Sequence, residues 1–272
     1  MDAPGPLVDI GINLTHDSFA ADREGVIARA RAAGVGHLIV TGSSLASSPA
    51  AAALAATDSG FMSSTAGVHP HHAAELDQAQ LPLLAELLAR PGVVAVGECG
   101  LDYYRDLAPR AVQRHAFELQ LALAIETGRP LFLHQREAHA DFLAMLRSLG
   151  RAAPRAVAHC FTGTVGEAEE YLALGLYLGI TGWICDERRG KHLEDVVRHV
   201  PAERLMLETD GPYLLPRTLK PKPRSRRNEP AYLGEVCRAV AGARGESPAV
   251  VARASTAAAE AFFGRALVAP GA

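Results

Sequence analysis

Eight short apolar segments recur along the 272-residue chain, and they constrain its fold more than any other feature. Their apolar residues are nearly continuous instead of alternating with polar ones, which is typical of parallel strands that are buried on both faces. Turn residues bound each segment. The predicted strands are VDIGINL (8–14), HLIVTG (37–42), MSSTAGV (62–68), VVAVGE (93–98), LFLHQR (131–136), AVAHCF (156–161), LYLGITG (176–182) and LMLETD (205–210).

Stretches with helical spacing of apolar residues separate these strands. Segment 22–34 places Val26, Ile27 and Ala30 on one face and ends at Gly34, a favourable residue just after a helix. The other predicted helices are 47–57, 81–90, 108–128, 137–150, 165–175, 190–200, 229–242 and 247–263. Strict alternation predicts a parallel sheet, and eight repeats are the number that closes a TIM barrel. We therefore predict an α/β fold, a TIM (β/α)8 barrel, as a single domain over 1–272. An open doubly wound sheet is the alternative.

The overall charge excludes a globally basic nucleic-acid binder, because 27 basic and 30 acidic residues give a net charge of −3. No apolar run approaches the ~18–20 residues that span a bilayer. The first ten residues, MDAPGPLVDI, lack the features of a secretory signal. Four dispersed cysteines without a CxxC motif are typical of reduced thiols in a cytoplasmic protein. We expect a cytoplasmic protein with no membrane partner, and these cysteines are Cys99, Cys160, Cys185 and Cys237.

Polar residues gather at the C-terminal ends of the predicted strands, where the active site of a TIM barrel lies. The residues at these ends are Asn13, His69, Glu98, His134, His159, Glu208 and Asp210. Imidazoles and carboxylates without sulfur suit Mg²⁺, Mn²⁺, Zn²⁺ or another first-row ion. A cation would also explain why a glutamate ends a buried strand, since charged residues are almost never buried without a partner. Such a site has the parts of metal-assisted hydrolysis, in which a carboxylate accepts a proton from water.

Simpler structural roles stay open for each residue taken alone. A single histidine at a strand end is commonly hydrogen-bonded, and one glutamate can pair with an arginine. Regular strand alternation places Cys99 and Cys160 on the faces opposite to Glu98 and His159, so we interpret both cysteines as core residues.

Three further residues near the strand ends receive minor roles. His71 and His72 follow the third strand in a loop, and we expect both to be exposed to solvent. Glu208 lies one step deeper than Asp210, so we interpret Glu208 as a residue that orients a neighbour.

A basic cluster follows the eighth strand within segment 211–230. Such a run is commonly a solvated loop. This one, however, leaves the strand that carries Asp210, which favours binding of a polyanion such as a phosphate chain. Tyr103, Tyr104 and Trp183 also follow strands, where they either stack on bases or pack against loops. The candidate substrate-binding residues are Arg217, Lys220, Lys222, Arg224, Arg226 and Arg227.

Six segments resemble the signature segments of the TatD family of metal-dependent deoxyribonucleases. These segments are GVHPH (67–71), GECGLDYYR (97–105), LHQREAH (133–139), HCFTG (159–163), GITGW (179–183) and ETDGPYLLPR (208–217). The resemblance implies a TIM barrel of the metallo-dependent hydrolase type. It also implies a divalent-metal nuclease with 3′→5′ exonuclease action on single-stranded DNA and RNA, and a part in DNA repair.

The resemblance also assigns roles to individual residues. It implies that Glu98, His134 and His159 are metal ligands, that Asp210 binds metal or acts as the base, and that His69 lines the site as a catalytic residue. Asn13 and Glu208 are left as supporting residues.

One feature departs from the family pattern. Most of the superfamily has an HxH pair at the end of the first strand, where this chain has Gly11, Ile12 and Asn13. Because two ligands of one metal position are missing, we expect one well-held ion and a weaker second one. Mg²⁺ is the expected ion, with Mn²⁺ or Zn²⁺ as alternatives, and we expect a monomer that binds single-stranded DNA or RNA.

Two other functions stay open at this point. The first is an amidohydrolase or lactonase acting on a small molecule, but such enzymes often place a carboxylated lysine where this chain has Glu98. The second is a non-catalytic nucleic-acid-binding barrel, which the retained Glu98, His134, His159 and Asp210 disfavour.

Overall fold

The computed structural model describes residues 5–268 and contains eight β-strands within that range. They form one sheet whose strand order is the order of the sequence. Register is parallel for β3–β4, β4–β5, β5–β6 and β7–β8. The strands are β1 (Leu7–Ile12), β2 (Val35–Val40), β3 (Met62–Ala66), β4 (Val93–Asp102), β5 (Leu131–Arg136), β6 (Ala156–Ala158), β7 (Tyr177–Ile180) and β8 (Leu205–Leu207).

Nine α-helices within residues 5–268 alternate with these strands, and two of them follow β8. All nine predicted helices are confirmed, with ends that differ by a few residues. Gly128, Gly245 and Gly264 end three of them with positive φ angles of 66°, 69° and 67°, which glycine adopts readily. The helices are α1 (Arg23–Ala32), α2 (Ser47–Ala56), α3 (Leu81–Leu88), α4 (Arg110–Thr127), α5 (His139–Ser148), α6 (Val165–Ala173), α7 (Leu193–His199), α8 (Leu233–Arg244) and α9 (Pro248–Phe263).

The chain just beyond β8 is hydrogen-bonded to the chain at the end of β1. The backbone N–H of Asp210 donates to the carbonyl oxygen of Gly11 at 2.8 Å, and that of Asn13 donates to Gly211 at 2.9 Å. The first and last strands of the sequence are therefore neighbours, which is the (β/α)8 topology of a TIM barrel. The predicted fold class is confirmed.

The described residues fall into two units. The first unit comprises 5–39, 160–172 and 177–268, and the second comprises 40–159 and 173–176. The expectation of a single domain stays a prediction. The segment MDAPGPLVDI lies partly outside the described residues, which begin at Gly5. No helix within 5–268 has the length and apolar character needed to cross a membrane.

Two glutamines of α4 hold the ends of two strands in the second unit. Gln120 accepts a hydrogen bond from the Val68 N–H at 2.8 Å and donates to the Val68 carbonyl at 3.0 Å. Gln113 does the same for Asp102, at 2.9 Å and 3.1 Å. These buried amides satisfy backbone groups that no neighbouring strand reaches. They fix the segments that lead into the candidate functional residues.

Candidate metal centre

Glu98 lies in a β-bulge of β4. The register between β4 and β5 shifts between Gly97 and Cys99, so Glu98 has no partner on β5. Its backbone N–H donates instead to the carbonyl oxygen of Gly42 at 2.6 Å. A side chain at Gly97, whose φ is +140°, would collide with the carbonyl of Phe132, which explains the glycine at this position. Because of the bulge, regular alternation does not decide where the Glu98 side chain points.

Three imidazoles surround one carboxylate oxygen of Glu98. Its Oε1 lies 2.8 Å from His159 Nε2, 3.3 Å from His134 Nδ1 and 3.3 Å from His69 Nε2. His69 follows β3, His134 belongs to β5 and His159 follows β6, so three strand ends supply the rings. All four residues belong to the second unit, and donor atoms of His69, Glu98 and His134 lie within 4.8 Å of one another.

The surroundings favour ionised Glu98. Burial opposes its charged form, but the charge of the neighbouring His159 and hydrogen bonds from His134 and His159 outweigh this effect and hold the pKa of Glu98 well below its ordinary value. Burial also drives the pKa of His69 well below its ordinary value, which leaves a neutral imidazole. For His134, burial is outweighed by contacts with Asp102 and Glu98, and the pKa is raised. An ionised carboxylate and a neutral imidazole are the forms in which these groups bind metals.

Asp102, at the end of β4, is a buried carboxylate that the sequence analysis missed. Its Oδ2 lies 2.8 Å from His71 Nε2 and 3.4 Å from His134 Nε2. Its Oδ1 accepts the backbone N–H groups of Tyr104 and Arg105 at 3.1 Å and 2.8 Å. The His134 contact is too long for a good hydrogen bond, and Nε2 of this ring is buried with no such partner among the described residues. A hydrogen bond from Nε2 of this ring to Asp102 would place the proton on Nε2 and leave Nδ1 as the nitrogen that can bind a metal.

The expectation that His71 is exposed to solvent is wrong. This residue lies in a short 3₁₀ helix, Pro70–Glu75, and its side chain is 25% exposed because it bonds to Asp102. His72 is exposed as expected, with 47% of its side chain accessible. The two adjacent histidines therefore differ, since only one of them reaches the buried carboxylate.

The donors around Glu98 fit a divalent ion. The set contains a carboxylate oxygen and several imidazole nitrogens but no thiolate. First-row transition ions bind both kinds of donor, whereas Mg²⁺ prefers oxygen ligands. The rings also crowd one another, with centroids of His69 lying 4.2 Å from His71 and 4.3 Å from His134. A cation among these groups would balance the buried negative charge and bind imidazole nitrogens that lie against the carboxylate in the described structure.

The remaining residues expected at the site lie in the first unit. Asn13 Nδ2 donates to Asp210 Oδ1 at 3.0 Å, and Asp210 adopts a positive φ of 53°, which aspartate tolerates better than most residues. Glu208 is fully buried, and its Oε1 accepts the backbone N–H of Cys160. This hydrogen bond holds the residue that follows His159 in the chain.

A second buried carboxylate that the sequence analysis missed is Asp9 in β1. It accepts hydrogen bonds from the N–H and hydroxyl of Thr209 at 2.9 Å and 2.5 Å, and from the Gly11 N–H at 3.3 Å. Burial raises the pKa of Asp9 to about 7, although these hydrogen bonds act in the opposite direction. The partners are backbone and hydroxyl groups, so this carboxyl is satisfied by the protein itself.

The six basic residues expected to bind substrate are of two kinds. Arg217 forms two hydrogen bonds to Glu187, at 2.9 Å and 3.1 Å, and Arg227 forms two to Asp22, at 2.7 Å and 2.8 Å. These two arginines are held by the protein's own carboxylates. The other four are exposed, and no ion pair involves them within residues 5–268: Lys220, Lys222, Arg224 and Arg226.

The cysteines take no part in the candidate site. Within the described residues all four are free thiols, and three of them are buried. Burial raises the pKa of Cys99 above its ordinary value, so this thiol next to Glu98 stays protonated.

Sequence comparison places the chain among nucleases. The model of the family described as TatD related DNase matches residues 8–264. A protein of Edwardsiella piscicida named 3′-5′ ssDNA/RNA exonuclease TatD is 54% identical over 230 residues, which are 85% of this chain and 88% of that protein.

Structural comparison leads to the same group. A hydrolase TatD family protein from Entamoeba histolytica superposes with a TM-score of 0.86 at 26% identity, covering 95% of this chain and 98% of the other. A TatD homologue from Escherichia coli K12 gives a TM-score of 0.85 at 28% identity and covers 97% and 99% of the two chains. The likeness therefore extends over nearly the whole of each chain.

Proposed function

Because the chain belongs to the TatD-related DNase family, we propose that it is a metal-dependent 3′→5′ exonuclease that hydrolyses phosphodiester bonds of single-stranded DNA and RNA. Family membership makes it a hydrolytic nuclease. The observation that carries the proposal is the buried, ionised Glu98 with three imidazole nitrogens within 3.3 Å of one oxygen. This carboxylate and these imidazole nitrogens are groups that can hold the ion required for metal-assisted hydrolysis.

The proposed metal ligands are Glu98, His134 and His159. A divalent ion held there, Mg²⁺ in the first place with Mn²⁺ and Zn²⁺ as alternatives, supplies Lewis-acid polarisation of a phosphate oxygen and a more acidic water. Glu98 contributes the negative charge that attracts the ion. His69, which is neutral and lies against Glu98, contacts the phosphate or adds a further nitrogen ligand.

Asp210 is the proposed proton acceptor or ligand of a second, weaker ion. The amide of Asn13 donates to its Oδ1 and so orients the carboxylate, which is a group that can accept a proton from water. Asn13 cannot replace the imidazole nitrogens of an HxH pair, so we infer that a second ion is held less tightly. Glu208 supports the chain next to His159 through Cys160.

The proposed substrate-binding residues lie in the segment after β8. The exposed Lys220, Lys222, Arg224 and Arg226 supply positive charge for the phosphate backbone. Arg217 and Arg227 hold the segment in place through their carboxylate partners, and their positive charge adds to the attraction of the segment for a phosphate backbone. We further propose that the protein acts as a monomer in the cytoplasm and serves DNA repair.

The experiment that tests this function is digestion of end-labelled single- and double-stranded oligonucleotides with Mg²⁺, Mn²⁺, Zn²⁺ or chelator. We expect metal-dependent removal of nucleotides from the 3′ end of single strands. His134→Ala should lower this rate by about 10³-fold or more, since a metal ion contributes several kcal/mol. His72→Ala is the matched control, because His72 is an exposed histidine of the same unit, and it should retain the full rate.

Two outcomes would contradict the proposal. His134→Ala with the full metal-dependent nuclease rate would exclude the assigned metal ligands. Hydrolysis of dihydropyrimidines or lactones, with no nucleic acid degraded under any metal, would favour a small-molecule hydrolase instead. Thermal unfolding followed by circular dichroism establishes that each variant is folded.

A further inference from the structure

An exposed aromatic ring lies just beyond the strand that carries Glu98. Tyr104 is the second residue after β4, and it is 55% exposed. Its backbone N–H donates to Oδ1 of Asp102 at 3.1 Å, while the other oxygen of this carboxylate contacts His71 and His134. The chain at Tyr104 is therefore anchored to a buried carboxylate that is bonded to His71 and lies 3.4 Å from His134 of the candidate metal centre.

The guanidinium of Arg136 stacks on this ring, with its central carbon 3.9 Å from the ring centroid of Tyr104. Arg136 is the last residue of β5 and pairs with Asp102 in the register with β4. It lies two residues beyond His134, which is about 7 Å along a strand. Among residues 5–268 no carboxylate pairs with this guanidinium, in contrast to those of Arg217 and Arg227.

The adjacent tyrosine shows what a packing role looks like in this loop. The hydroxyl of Tyr103 donates to Asp141 at 2.7 Å, and the guanidinium of Arg110 covers its ring at 4.3 Å. Asp141 is in turn paired with Arg114 at 2.8 Å. In the described part of the chain the hydroxyl of Tyr104 makes no hydrogen bond, so packing accounts for Tyr103 and leaves Tyr104 unexplained.

We propose that Tyr104 and Arg136 form a platform for one nucleobase of a single-stranded substrate, a site that deepens the proposed function and rests on it. The base stacks against the exposed part of the pair, and Arg136 places its charge beside the adjoining phosphate. Stacking on an aromatic ring is tolerant of sequence, because every base has a π-face. The ligand is therefore any nucleotide of an unpaired strand.

The platform also accounts for a preference for single strands. In a duplex each base is stacked on its neighbours and its face is covered, so it must leave the stack before it can contact an aromatic side chain. An unpaired strand offers its bases without that cost. Tyr104 is anchored to Asp102, which is bonded to His71 and lies next to His134, so a base on its ring holds the strand close to the proposed metal ligands.

The test is equilibrium binding of fluorescent oligo(dT) to the chelator-treated protein, measured by anisotropy so that no hydrolysis occurs. We expect Tyr104→Ala to weaken binding by about 5- to 100-fold, the range found when stacking residues are truncated. Tyr104→Phe keeps the ring and should stay within about twofold of the wild type. An oligonucleotide of the same length with abasic residues should bind the wild type and Tyr104→Ala equally well.

Two further variants separate stacking from charge and from general loop effects. Leu107→Ala truncates a residue of the same loop that is 65% exposed but not aromatic, and binding of oligo(dT) should not change. Arg136→Gln should weaken binding of both oligonucleotides and reduce the slope of log affinity against log salt by about one unit.

Equal affinity of Tyr104→Ala and the wild type for oligo(dT) would overturn the platform, and so would an equal loss for the abasic strand. Either result leaves the nuclease function intact if the wild type still degrades single strands with metal. Absence of any nuclease activity in the wild type would remove the proposed function instead, while the binding comparison would still decide whether Tyr104 contacts a base.

Discussion

Glu98 and Asp9 are both buried carboxylates within strands, but different groups surround them. Glu98 faces the imidazoles of His69, His134 and His159, whereas Asp9 accepts hydrogen bonds from Thr209 and Gly11. The pKa of Glu98 lies well below its ordinary value, whereas burial raises that of Asp9 to about 7. The partners, and not burial itself, decide which of the two carboxyls stays charged.

This difference separates a metal-binding group from a structural one. Neutral imidazole nitrogens can bind a cation that the Glu98 carboxylate also binds, and the positive charge of the cation then balances the negative charge of the carboxylate. Backbone N–H groups can only donate, so they satisfy Asp9 without creating a place for an ion. We therefore assign the chemistry to the surroundings of Glu98 and a structural role to Asp9.

The largest expected effect concerns Glu98→Gln, which keeps the shape of the side chain and removes its charge. Without that charge the ion loses its only anionic ligand in this cluster, and nuclease activity should fall by about 10³-fold or more. Metal affinity, measured by isothermal titration calorimetry on the metal-free protein, should fall with it.

Glu208→Gln is the matched control for this prediction. Its amide oxygen can still accept the Cys160 N–H, and this residue has no assigned metal contact. A loss of metal affinity in Glu208→Gln as large as that in Glu98→Gln would erase the distinction between charged ligand and structural carboxyl.

A smaller effect is expected from Asp9→Asn, and it concerns stability. The pKa of Asp9 is about 7 in the folded protein against an ordinary value of 3.8, so the folded state holds a proton that the unfolded chain releases. The resulting contribution is complete below about pH 4 and is lost as the pH rises to about 7, by no more than about 4 kcal/mol.

Urea denaturation of the wild type and Asp9→Asn between these pH values measures that contribution. The difference between their free energies of unfolding should shift against the wild type as the pH rises, while nuclease activity of Asp9→Asn is retained. A difference that does not vary with pH would show that Asp9 is ionised in the folded protein, as Glu98 is.

The smallest effect is expected from Asp102→Asn, which tests the residue behind the imidazoles. Its amide oxygen can still accept the N–H groups of Tyr104 and Arg105, so the loop keeps its anchor. Metal affinity should fall by about 10- to 100-fold, as is usual when a group behind a histidine ligand is replaced. Nitrogen NMR of His134 should show a changed distribution of the proton between Nδ1 and Nε2.

Asp141→Asn serves as the control for Asp102→Asn, because Asp141 is a carboxylate of the same unit that pairs with Arg114 and Tyr103. Its metal affinity should equal that of the wild type. If Asp102→Asn also binds metal as tightly as the wild type, then Asp102 holds only the loop and does not orient His134.

The fold could be predicted from sequence because each strand is a compact apolar run that a helix follows. The main deviation is β4, which was expected to end at Glu98 and extends to Asp102. The bulge between Gly97 and Cys99 interrupts the alternation there, and it depends on the carbonyl of Phe132 in another strand. No pattern within 93–98 reports such a contact, although the two glycines of GECG are a signal of it.

The sequence predicted the histidines around Glu98 but not Asp102, which contacts His71 and lies against His134 on the side away from Glu98. Asp102 lies two positions after Gly100, which pairs with His134, so the two side chains share a face, but this register follows the bulge and is visible only in the structure. The contact of His71 with Asp102 is not visible in the sequence either, because it depends on a 3₁₀ helix after β3. Asp9 was visible as a charged residue inside an apolar strand.

Sequence patterns could not predict which basic residues of segment 211–230 form ion pairs. Arg227 contacts Asp22, which is 205 residues away, and Arg217 contacts Glu187, which is 30 residues away. Charge composition alone treats all six basic residues of the segment alike. Only tertiary structure separates the two that are held by carboxylates from the four that are exposed.

The most direct test of the account is a crystal structure of the protein grown with Mn²⁺, with anomalous scattering used to locate the ion. The account predicts a strong anomalous peak for an ion coordinated by Glu98, His134 and His159, and no peak at Asp9. If Mn²⁺ activates the protein but the crystals show an anomalous peak only at another place, with Glu98 still in contact with its imidazoles, the account is contradicted.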